Sequence, residues 1–458
     1  MIGPMTLKQL QQRLADKLNA RMHGHSVGVG PVCTDTRQLQ AGDFFVALRG
    51  PHFDGHSFLA RAQELGAVAA MVDRINPELS LPQLQVDDTT LGLGQLALIN
   101  RRQFQQPVIA ITGSSGKTTV RTMADSILRQ RGPVLATSGN LNNHIGVPLT
   151  LLRLTGSETA AVIEMGASAI GEIAYLCQLA EPEVVLVNNI MPAHLEGFGS
   201  LEGVADAKGE IYQGVREGGS CVVNLDEHFS AQWLREIPRA TVLTYSLLRT
   251  DADIFATDIQ SHSDSIEFVL HLQGQSANIR LANPGTHMVA NALAACGCAW
   301  ATGVDLAQIK TGLEACPAVA GRMHRMRGPA GCRLIDDTYN ANPGSVRAAI
   351  DVLAEAPGAR ILVMGDMGEL GDEAWLMHSE IGDYAAEKKL DAVFTVGTLS
   401  QAISDEFAGP ARHFDSQQAL VGHLLRVING SDYTVLIKGS RSAQMDRVIN
   451  ALIQVETN

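Results

Sequence analysis

A glycine-bearing loop at residues 113–119 separates an apolar run from a helical pattern, and this arrangement limits the possible folds more than any other feature. The apolar run Val108–Thr112 predicts a buried strand, and residues 118–130 predict a helix. A strand, a turn and a helix in this order gather backbone N–H groups and the positive end of a helix dipole around one point. The sequence therefore predicts an α/β fold with a phosphate-binding loop.

The loop is a shortened form of the common phosphate-loop pattern, which would place a glycine where Ile111 stands. Lys117 is expected to reach the β- and γ-phosphates of ATP, and the Thr118 hydroxyl is expected to ligate Mg²⁺. The alternative is a glycine-rich turn without a ligand, and the flanking strand and helix count against it. The residues expected to bind ATP here are Gly113, Ser114, Ser115, Gly116, Lys117, Thr118 and Thr119.

The phosphate loop opens a repeated alternation of strands and helices, which predicts a parallel sheet covered by helices. A hairpin around Gly274, at residues 265–281, is expected beside that sheet. After Pro317 the alternation resumes and suits a doubly wound unit with its site at the carboxyl ends of the strands. Strands are predicted at 160–163, 183–187, 221–223, 333–335, 360–364, 392–396 and 434–437, and helices near Ser345, Glu373, Ser400 and Ser442.

The first hundred residues predict a separate small α/β unit. Thr6 and Gln9 have the spacing of a capping box, which begins a helix running toward Ala20. Strands are expected at 44–48 and 67–72, with a helix at 57–65 between them. Because 458 residues are too many for one hydrophobic core, two or three domains are expected. The pattern of elements along the chain favours three, at 1–100, 101–316 and 317–458.

Composition and charge argue against several classes of protein. A net charge of -13 disfavours non-specific binding to nucleic acid. The seven cysteines are scattered without a C-x-x-C pair, which indicates reduced thiols rather than disulfides. The first residues lack a charged-then-apolar secretory pattern, and no apolar run is as long as a membrane span. We therefore expect a cytoplasmic protein without a nucleic-acid or membrane partner. The sequence does not determine the oligomeric state, for which a monomer is the expectation.

Strings of residues along nearly the whole chain resemble those of the Mur ligases, whose phosphate loop has the same shortened form. The most discriminating string is Asp336-Asp-Thr-Tyr-Asn-Ala-Asn-Pro343. The others are Thr34-Asp-Thr-Arg37, Phe44-Phe45-Val-Ala-Leu-Arg-Gly50, Phe53-Asp-Gly-His56, Asn140-Leu-Asn-Asn143-His-Ile-Gly-Val-Pro148, Glu164-Met-Gly166, His194-Leu-Glu-Gly-Phe-Gly199, Ala207-Lys208-Gly-Glu210, His287 through Asn291, Gly365-Asp-Met-Gly-Glu-Leu-Gly371 and Lys438-Gly-Ser-Arg441.

The resemblance implies a small N-terminal domain that binds a UDP-linked substrate, a central phosphate-loop ATPase domain and a Rossmann-like C-terminal domain. It also implies a ligase that uses ATP to join D-alanyl-D-alanine to UDP-N-acetylmuramoyl-tripeptide, in the synthesis of peptidoglycan precursors. The expected intermediate is an acyl phosphate on the tripeptide carboxylate. Because both steps gather negative charge at one place, catalysis is expected to depend on cations and positioning.

Carried over by position, the resemblance implies a catalytic set and two Mg²⁺ ions. Lys208 is expected as a carbamate, since reaction with CO₂ would turn a repelled cation into an anionic ligand. From the residues alone, Lys208 would be a solvated surface lysine, Glu164 an exposed strand-end carboxylate and His194 a structural histidine. The expected catalytic residues are Lys117, Glu164, His194, Lys208 and Arg322, and the expected metal ligands are Thr118, Glu164, His194 and Lys208.

The resemblance also assigns residues to the nucleotide and to the second substrate. Asp337 is expected to accept from ribose hydroxyls, Tyr339 to stack on adenine and Arg322 to pair with the departing γ-phosphate. Asn291 is expected to bind ATP with them. Because Arg322 follows the second domain boundary, domain closure would deliver it to ATP. The residues expected to bind the UDP-linked substrate are Thr34, Asp35, Thr36, Arg37, Asn143 and Ser168.

Two other functions fit parts of the pattern. One is a sister ligase of the same fold, which adds another amino acid or lengthens folate with glutamate. The strings of the first unit and the Tyr-Asn-Ala-Asn-Pro string count against it. The other is a non-catalytic nucleotide-sugar sensor, which would not need the combination of Lys117, Glu164, His194 and Lys208. The sequence leaves open whether the tripeptide ends in diaminopimelate or lysine.

Overall fold

The computed structural model describes residues 4–192 and 195–454, and for Leu195 it describes the backbone alone. The first part of the chain forms a sheet in the order β1-β7-β6-β3-β2, in which only the β1–β7 pair is antiparallel, and a small β4–β5 ladder. Its elements are α1 (Leu7–Leu18), β1 (Arg21–His23), β2 (Val32–Cys33), β3 (Phe44–Val46), β4 (Arg49–Gly50), β5 (Phe53–Asp54), α2 (Leu59–Glu64), β6 (Ala69–Val72), β7 (Gln83–Gln85) and α3 (Thr89–Arg101).

Helix α1 begins where the sequence predicts. The Thr6 hydroxyl accepts from the Gln9 amide, and the Gln9 side chain accepts from the Thr6 amide, so the capping box is confirmed. The helix predicted at 57–65 is wrong at its start, where a turn of 3-10 helix precedes α2. Asp54 explains this, since its carboxylate accepts from the His56 amide and draws the first turn tight.

The middle part forms a large sheet in the order β16-β15-β14-β13-β12-β11-β8-β10-β9, parallel from β9 to β14 and continued by the antiparallel β14–β15–β16 ribbon. The predicted hairpin around Gly274 is thus confirmed. The elements are β8 (Val108–Thr112), α4 (Lys117–Leu128), β9 (Val134–Ala136), α5 (Gly146–Leu151), β10 (Ala160–Glu164), α6 (Glu172–Ala180), β11 (Val184–Val187), α7 (Leu195–Phe198), α8 (Leu201–Gln213), β12 (Ser220–Asn224), α9 (Ser230–Glu236), β13 (Thr241–Ser246), β14 (Ile254–Ser261), β15 (Ile266–Leu272), β16 (Gln275–Leu281), α10 (Thr286–Trp300) and α11 (Leu306–Glu314).

Strand β8 lies inside this sheet and is buried on both faces. Val108 and Ala110 pack into one hydrophobic cluster, whereas Ile109 and Ile111 pack into the cluster on the other face. This explains why the strand reads as a continuous apolar run rather than an alternating one. The phosphate loop therefore follows a strand that is packed on both faces.

The last part forms a sheet in the order β17-β18-β22-β19-β20-β21, antiparallel only between β17 and β18. Helix α16 begins later than predicted, because Gln444 adopts a left-handed conformation that ends a short 3-10 turn first. The elements are β17 (His324–Arg327), β18 (Arg333–Asp337), α12 (Pro343–Ala354), β19 (Ala359–Met364), α13 (Ala374–Glu387), β20 (Ala392–Val396), α14 (Gln401–Glu406), β21 (Ala411–Phe414), α15 (Gln417–Val427), β22 (Tyr433–Lys438) and α16 (Asp446–Gln454).

Helix α3 ties the first sheet to the middle one. The Asn100 side chain donates to the carbonyls of Leu151 and Leu154, at 2.9 and 3.1 Å. The buried Arg101 side chain donates to the Ala180 carbonyl and forms an ion pair with Glu183.

The α/β class is confirmed, and the domain boundaries near 100 and 317 stay predictions. In residues 4–192 and 195–454, no helix has the length and apolar character needed to cross a membrane.

Candidate active site

The phosphate loop joins β8 to α4 with two glycines in conformations that other residues rarely adopt. Gly113 has a φ of 147° and Gly116 a φ of 75°. A Cβ atom at Gly116 would lie 2.5 Å from Asn291 Oδ1 and 2.6 Å from Asn188 Nδ2. Space as well as backbone conformation therefore requires glycine at position 116. Asn291, expected to bind ATP, lies directly against the loop.

Thr118 and Glu164 meet across the loop as the sequence predicts. The Thr118 hydroxyl donates to Glu164 Oε2 at 3.0 Å, and the Asn142 side chain donates to Glu164 Oε1 at 2.9 Å. The Glu164 amide donates to the Thr137 hydroxyl at 2.9 Å, which fixes the end of β10. Glu164 is 2% exposed, so the alternative of an exposed strand-end carboxylate is wrong.

Arg121 also lies near the Glu164 carboxylate, and sequence reasoning did not single it out. Its Nε lies 3.9 Å from Glu164 Oε2, and its guanidinium also donates to the Thr137 carbonyl. One turn of helix separates Arg121 from Lys117, so both side chains leave the same face of α4. The spacing was available in the sequence, but the position of Glu164 relative to that face was not.

Lys117 is partly buried beside the loop, and Lys208 is fully buried near it. The Lys117 ammonium donates to the Gly113 carbonyl at 2.6 Å. Burial lowers the pKa of Lys117, an effect that the Glu164 carboxylate opposes and the Arg322 charge reinforces. Lys208, in α8, is 1% exposed, and burial together with the positive charge of Lys117 lowers its pKa to about 7. The alternative of a solvated surface lysine at position 208 is therefore wrong.

Arg322 reaches the phosphate loop from the segment before β17. Its guanidinium donates to the Thr118 hydroxyl at 2.9 Å and stacks on the Tyr339 ring, 3.9 Å from the ring centroid. Planar stacking on an aromatic ring holds a guanidinium in one orientation. The structure thus already joins Arg322 and Tyr339 to the loop. Beside them, residues of α4, α10 and α11 line a cleft together with Asn283 and Pro317, which lie between elements.

Asp337 lies at the end of β18, where it forms a buried ion pair with Lys438. The Met323 amide donates to its second carboxylate oxygen at 3.1 Å, and Lys438 also donates to the Asn340 carbonyl at 2.9 Å. Lys438 belongs to the quoted Lys-Gly-Ser-Arg string, but it was not assigned a role from the sequence. The two residues are direct neighbours in the β18–β22 register.

The residues expected to bind the UDP-linked substrate lie in two places. Thr34 to Arg37 form a turn after β2, in which the largely exposed Arg37 pairs with Asp35. The Asn143 side chain accepts from the Gly146 amide at the start of α5, and the Ser168 amide donates to Glu172. The last expected site residue, His194, lies outside the described residues.

Family models match three parts of the chain. The Mur ligase family catalytic domain matches residues 29–99, the Mur ligase middle domain residues 111–299, and the Mur ligase glutamate ligase domain residues 321–441. The chain is 46% identical to the UDP-N-acetylmuramoyl-tripeptide--D-alanyl-D-alanine ligase of Escherichia coli over 441 residues, which are 96% of this chain and 97% of that protein.

This chain belongs to the Mur ligase family.

Solved structures agree with this assignment. A crystal structure of MurF from Acinetobacter baumannii has a TM-score of 0.92 and 37% identity and covers 99% of each chain. A crystal structure of the MurF ligase from Thermotoga maritima in complex with ADP has a TM-score of 0.82 and 28% identity, covering 93% of this chain and 97% of that one. The three-domain Mur ligase fold expected from the sequence is therefore confirmed.

Proposed function

We propose that this Mur ligase joins D-alanyl-D-alanine to UDP-N-acetylmuramoyl-tripeptide at the expense of ATP, giving ADP and phosphate. Relatives that share nearly its whole length carry this activity in their names, and a similar structure holds ADP. The site contains what activation of a carboxylate requires, which is a phosphate loop surrounded by cationic side chains. The observation that carries the proposal is the contact of Arg322 with Thr118, at the first turn of α4.

In the first step, an oxygen of the tripeptide carboxylate attacks the γ-phosphorus of ATP, and the bridging oxygen leaves with ADP. Negative charge spreads over the γ-phosphoryl oxygens and the leaving oxygen. The Lys117 ammonium, now 2.6 Å from the Gly113 carbonyl, would turn to those oxygens. Arg322 would reach the same oxygens, since it already contacts Thr118 at the first turn of α4. Two partly buried cations there stabilise charge better than fully solvated ones would.

In the second step, the amine of D-alanyl-D-alanine attacks the acyl carbon, and the C–O bond to phosphate breaks. The amine loses its extra proton to solvent or to a basic group, and phosphate leaves with the oxygen that came from the carboxylate. The tetrahedral intermediate carries negative charge at the same place as the first step. One set of cations therefore serves both steps.

The residues present fit a bound Mg²⁺. The Thr118 hydroxyl and the Glu164 carboxylate are 3.0 Å apart and both offer oxygen, the element that Mg²⁺ prefers. Within residues 4–192 and 195–454, no three His, Cys, Asp or Glu side chains form a metal-binding group. A site of few protein ligands is usual for Mg²⁺, whose remaining positions are taken by phosphates and water. When bound, Mg²⁺ would neutralise phosphate charge.

We further propose that Lys208 is carbamylated and, with His194, supports a second Mg²⁺. A neutral lysine amine reacts with CO₂ to give a carbamate and release a proton. A pKa of about 7 keeps a large share of Lys208 neutral at physiological pH, whereas an ordinary lysine is almost fully charged. The carbamate would also relieve the repulsion between Lys208 and Lys117, since it replaces one of the two positive charges.

The other sequence assignments complete the proposal. Residues 1–100 would bind the UDP-linked substrate through Thr34 to Arg37, with Asn143 and Ser168 in the middle domain, residues 101–316. Residues 317–458 would supply Asp337 and Tyr339 to the nucleotide. We place the reaction in the cytoplasm, where ATP is available, and expect the chain to act as a monomer.

The path of one oxygen atom tests this function. With ¹⁸O in the terminal carboxylate of the UDP-muramoyl-tripeptide, each turnover with D-alanyl-D-alanine should place one ¹⁸O atom in the released phosphate. Mass spectrometry of the phosphate measures this directly. ATP hydrolysis by water would leave the phosphate without label and would contradict the acyl-phosphate ligase.

A further inference from the structure

Two consecutive asparagines, Asn188 and Asn189, follow β11 and form hydrogen bonds with the phosphate loop. Asn188 is 2% exposed, and Asn189 is partly exposed. Neither residue was singled out from the sequence. Because β11 is the direct neighbour of β8, the residues after β11 leave the sheet beside the loop.

Asn188 joins the loop to α10. Its Nδ2 donates to the Ser115 carbonyl at 2.9 Å and to Asn291 Oδ1 at 3.0 Å, so both of its amide hydrogens are used. Its backbone carbonyl accepts from Asn224 and from the Tyr245 hydroxyl, which fixes the position of the residue itself. Removing one partner from such a buried set leaves polar groups without bonds and is costly.

Asn189 holds the same part of the loop through two acceptors. Its side-chain Oδ1 accepts from the Ser115 amide at 2.8 Å, and its backbone carbonyl accepts from the Ser114 amide at 2.9 Å. Both ends of the Ser115 residue, its N–H and its C=O, are therefore bonded to the Asn188–Asn189 pair. The loop is held in this shape by contacts that involve no nucleotide.

This arrangement divides the amides of the loop into two groups. Those of Ser114 and Ser115 are bonded to Asn189, whereas those of Gly116 to Thr119 belong to the N-cap and the first turn of α4, a helix of 12 residues. The first four N–H groups of a helix have no partner within it, and they bind anions well. Phosphate would therefore bind to the second group of amides, while the bonds of the first group fix the orientation of the helix N-terminus.

We propose that Asn188 and Asn189 are positioning residues, which hold the phosphate loop in its anion-binding shape before the nucleotide arrives. The inference rests on the proposed use of ATP, and it adds residues that act on the loop rather than on the phosphates. The tightness of nucleotide binding should then depend on the two side chains. Binding of the UDP-linked substrate, which is expected to involve other residues, should not.

Three variants test the proposal through the dissociation constant of ADP with Mg²⁺, measured by titration calorimetry. Asn189→Ala leaves the Ser115 amide without its partner and should weaken ADP binding about tenfold. Asn188→Asp replaces a donor with a carboxylate that faces the Ser115 carbonyl and Asn291 Oδ1, and should weaken it at least as much. Asn278→Asp, on an exposed part of β16, is the control for the added charge and should bind ADP like the wild type.

The Asn189→Asp variant distinguishes the effect of loop shape on ADP binding from the effect of charge. Its carboxylate still accepts from the Ser115 amide, so the loop keeps its shape, but the new charge repels phosphates. Its loss of ADP affinity should therefore shrink as salt is added, whereas that of Asn189→Ala should persist. Thermal midpoints and binding of UDP-muramoyl-tripeptide should stay near wild type for both Asn189 variants, which a general loss of structure would not allow.

The outcomes distinguish this inference from the proposed function. If the wild type does not bind ADP, the proposed use of ATP is wrong. If the wild type binds ADP and Asn189→Ala binds it equally tightly, the positioning role is wrong while the function stands. Should Asn188→Asp fail to fold, the two Asn189 variants decide the question alone.

Discussion

The guanidinium of Arg322 donates to the hydroxyl of Thr118 at 2.9 Å, across 204 positions of sequence. This bond places a permanent positive charge from the segment before β17 at the first turn of α4. The same guanidinium stacks on Tyr339, which follows β18. Activity should therefore depend on the shape of the Arg322 side chain as well as on its charge.

Arg322→Ala should lower kcat by about 10² to 10³, the usual loss when one donor to a developing charge is removed. Arg322→Lys should recover only part of this, because an ammonium cannot stack on Tyr339 or offer several N–H groups in one plane. Steady-state kcat and the KM for ATP measure both effects. Tyr339→Phe, which keeps the ring, should stay near wild type. A fully active Arg322→Ala enzyme would contradict the assigned role.

Lys117→Ala should abolish ATP turnover while leaving UDP-muramoyl-tripeptide binding nearly intact. Lys117 is proposed to contact only the phosphates of ATP, and the UDP moiety is expected in another domain. The loss should match or exceed that from removing an oxyanion-hole donor. Phosphate release and calorimetric binding of the UDP-linked substrate measure the two properties, with exposed Lys8→Ala as the control. More than about a tenth of the activity, a change below about 1.4 kcal/mol, would show that the phosphate-loop assignment is wrong.

Lys208→Ala should lose most activity, and acetate should restore part of it by offering a carboxylate where the carbamate would be. Lys208→Arg should stay inactive although it keeps the positive charge, because a guanidinium does not form a carbamate. The measurement is the ligation rate of both variants across an acetate series, with chloride at equal ionic strength as the control. A fully active Lys208→Arg enzyme would mean that positive charge is what matters at this position.

Lys208→Met should be more stable than the wild type in CO₂-free buffer, by an amount that depends on pH. The folded pKa of Lys208 is about 7, below the ordinary lysine value of 10.5. Between these values the unfolded chain holds a proton that the folded chain has lost, so wild-type stability rises with pH. The destabilisation caused by burying Lys208 is largest at and below pH 7 and disappears near pH 10.5.

The gain in the Lys208→Met variant should therefore be on the order of a few kcal/mol at pH 7 and much smaller at pH 10. Urea unfolding at both pH values measures the free energy of unfolding. An equal difference at the two pH values would show that burial of the Lys208 charge is not the cause.

The strand and loop that begin the middle sheet could be predicted because their signal is local. Residues 108–111 of β8 are an unbroken apolar run, and the glycines after the strand adopt unusual backbone conformations. Short strands such as β9 and β21 were not predicted, since three or four residues carry little pattern of their own. They form because a neighbouring strand offers a ladder of hydrogen bonds.

The sequence named candidate site residues, and it placed Thr118 opposite Glu164, but it did not give most of the contacts between side chains. Asp337 and Lys438 are 101 positions apart and meet because β18 and β22 are neighbours in the sheet. Arg121 meets Glu164 because of how α4 is rotated on the sheet. Neither the strand order nor that rotation follows from local sequence pattern, so these partners required the structure.

The choice of amine tests the central claim most directly. We predict that purified protein with ATP, Mg²⁺ and UDP-muramoyl-tripeptide releases phosphate rapidly only when D-alanyl-D-alanine is added, and that single D-alanine replaces it poorly. Protein groups that hydrogen-bond the amide and carboxylate of the dipeptide would be left without these partners when single D-alanine binds. Phosphate release, with mass spectrometry of the nucleotide product, is the measurement. Equal ligation of D-alanine and D-alanyl-D-alanine, or no ligation of the dipeptide, would contradict the account.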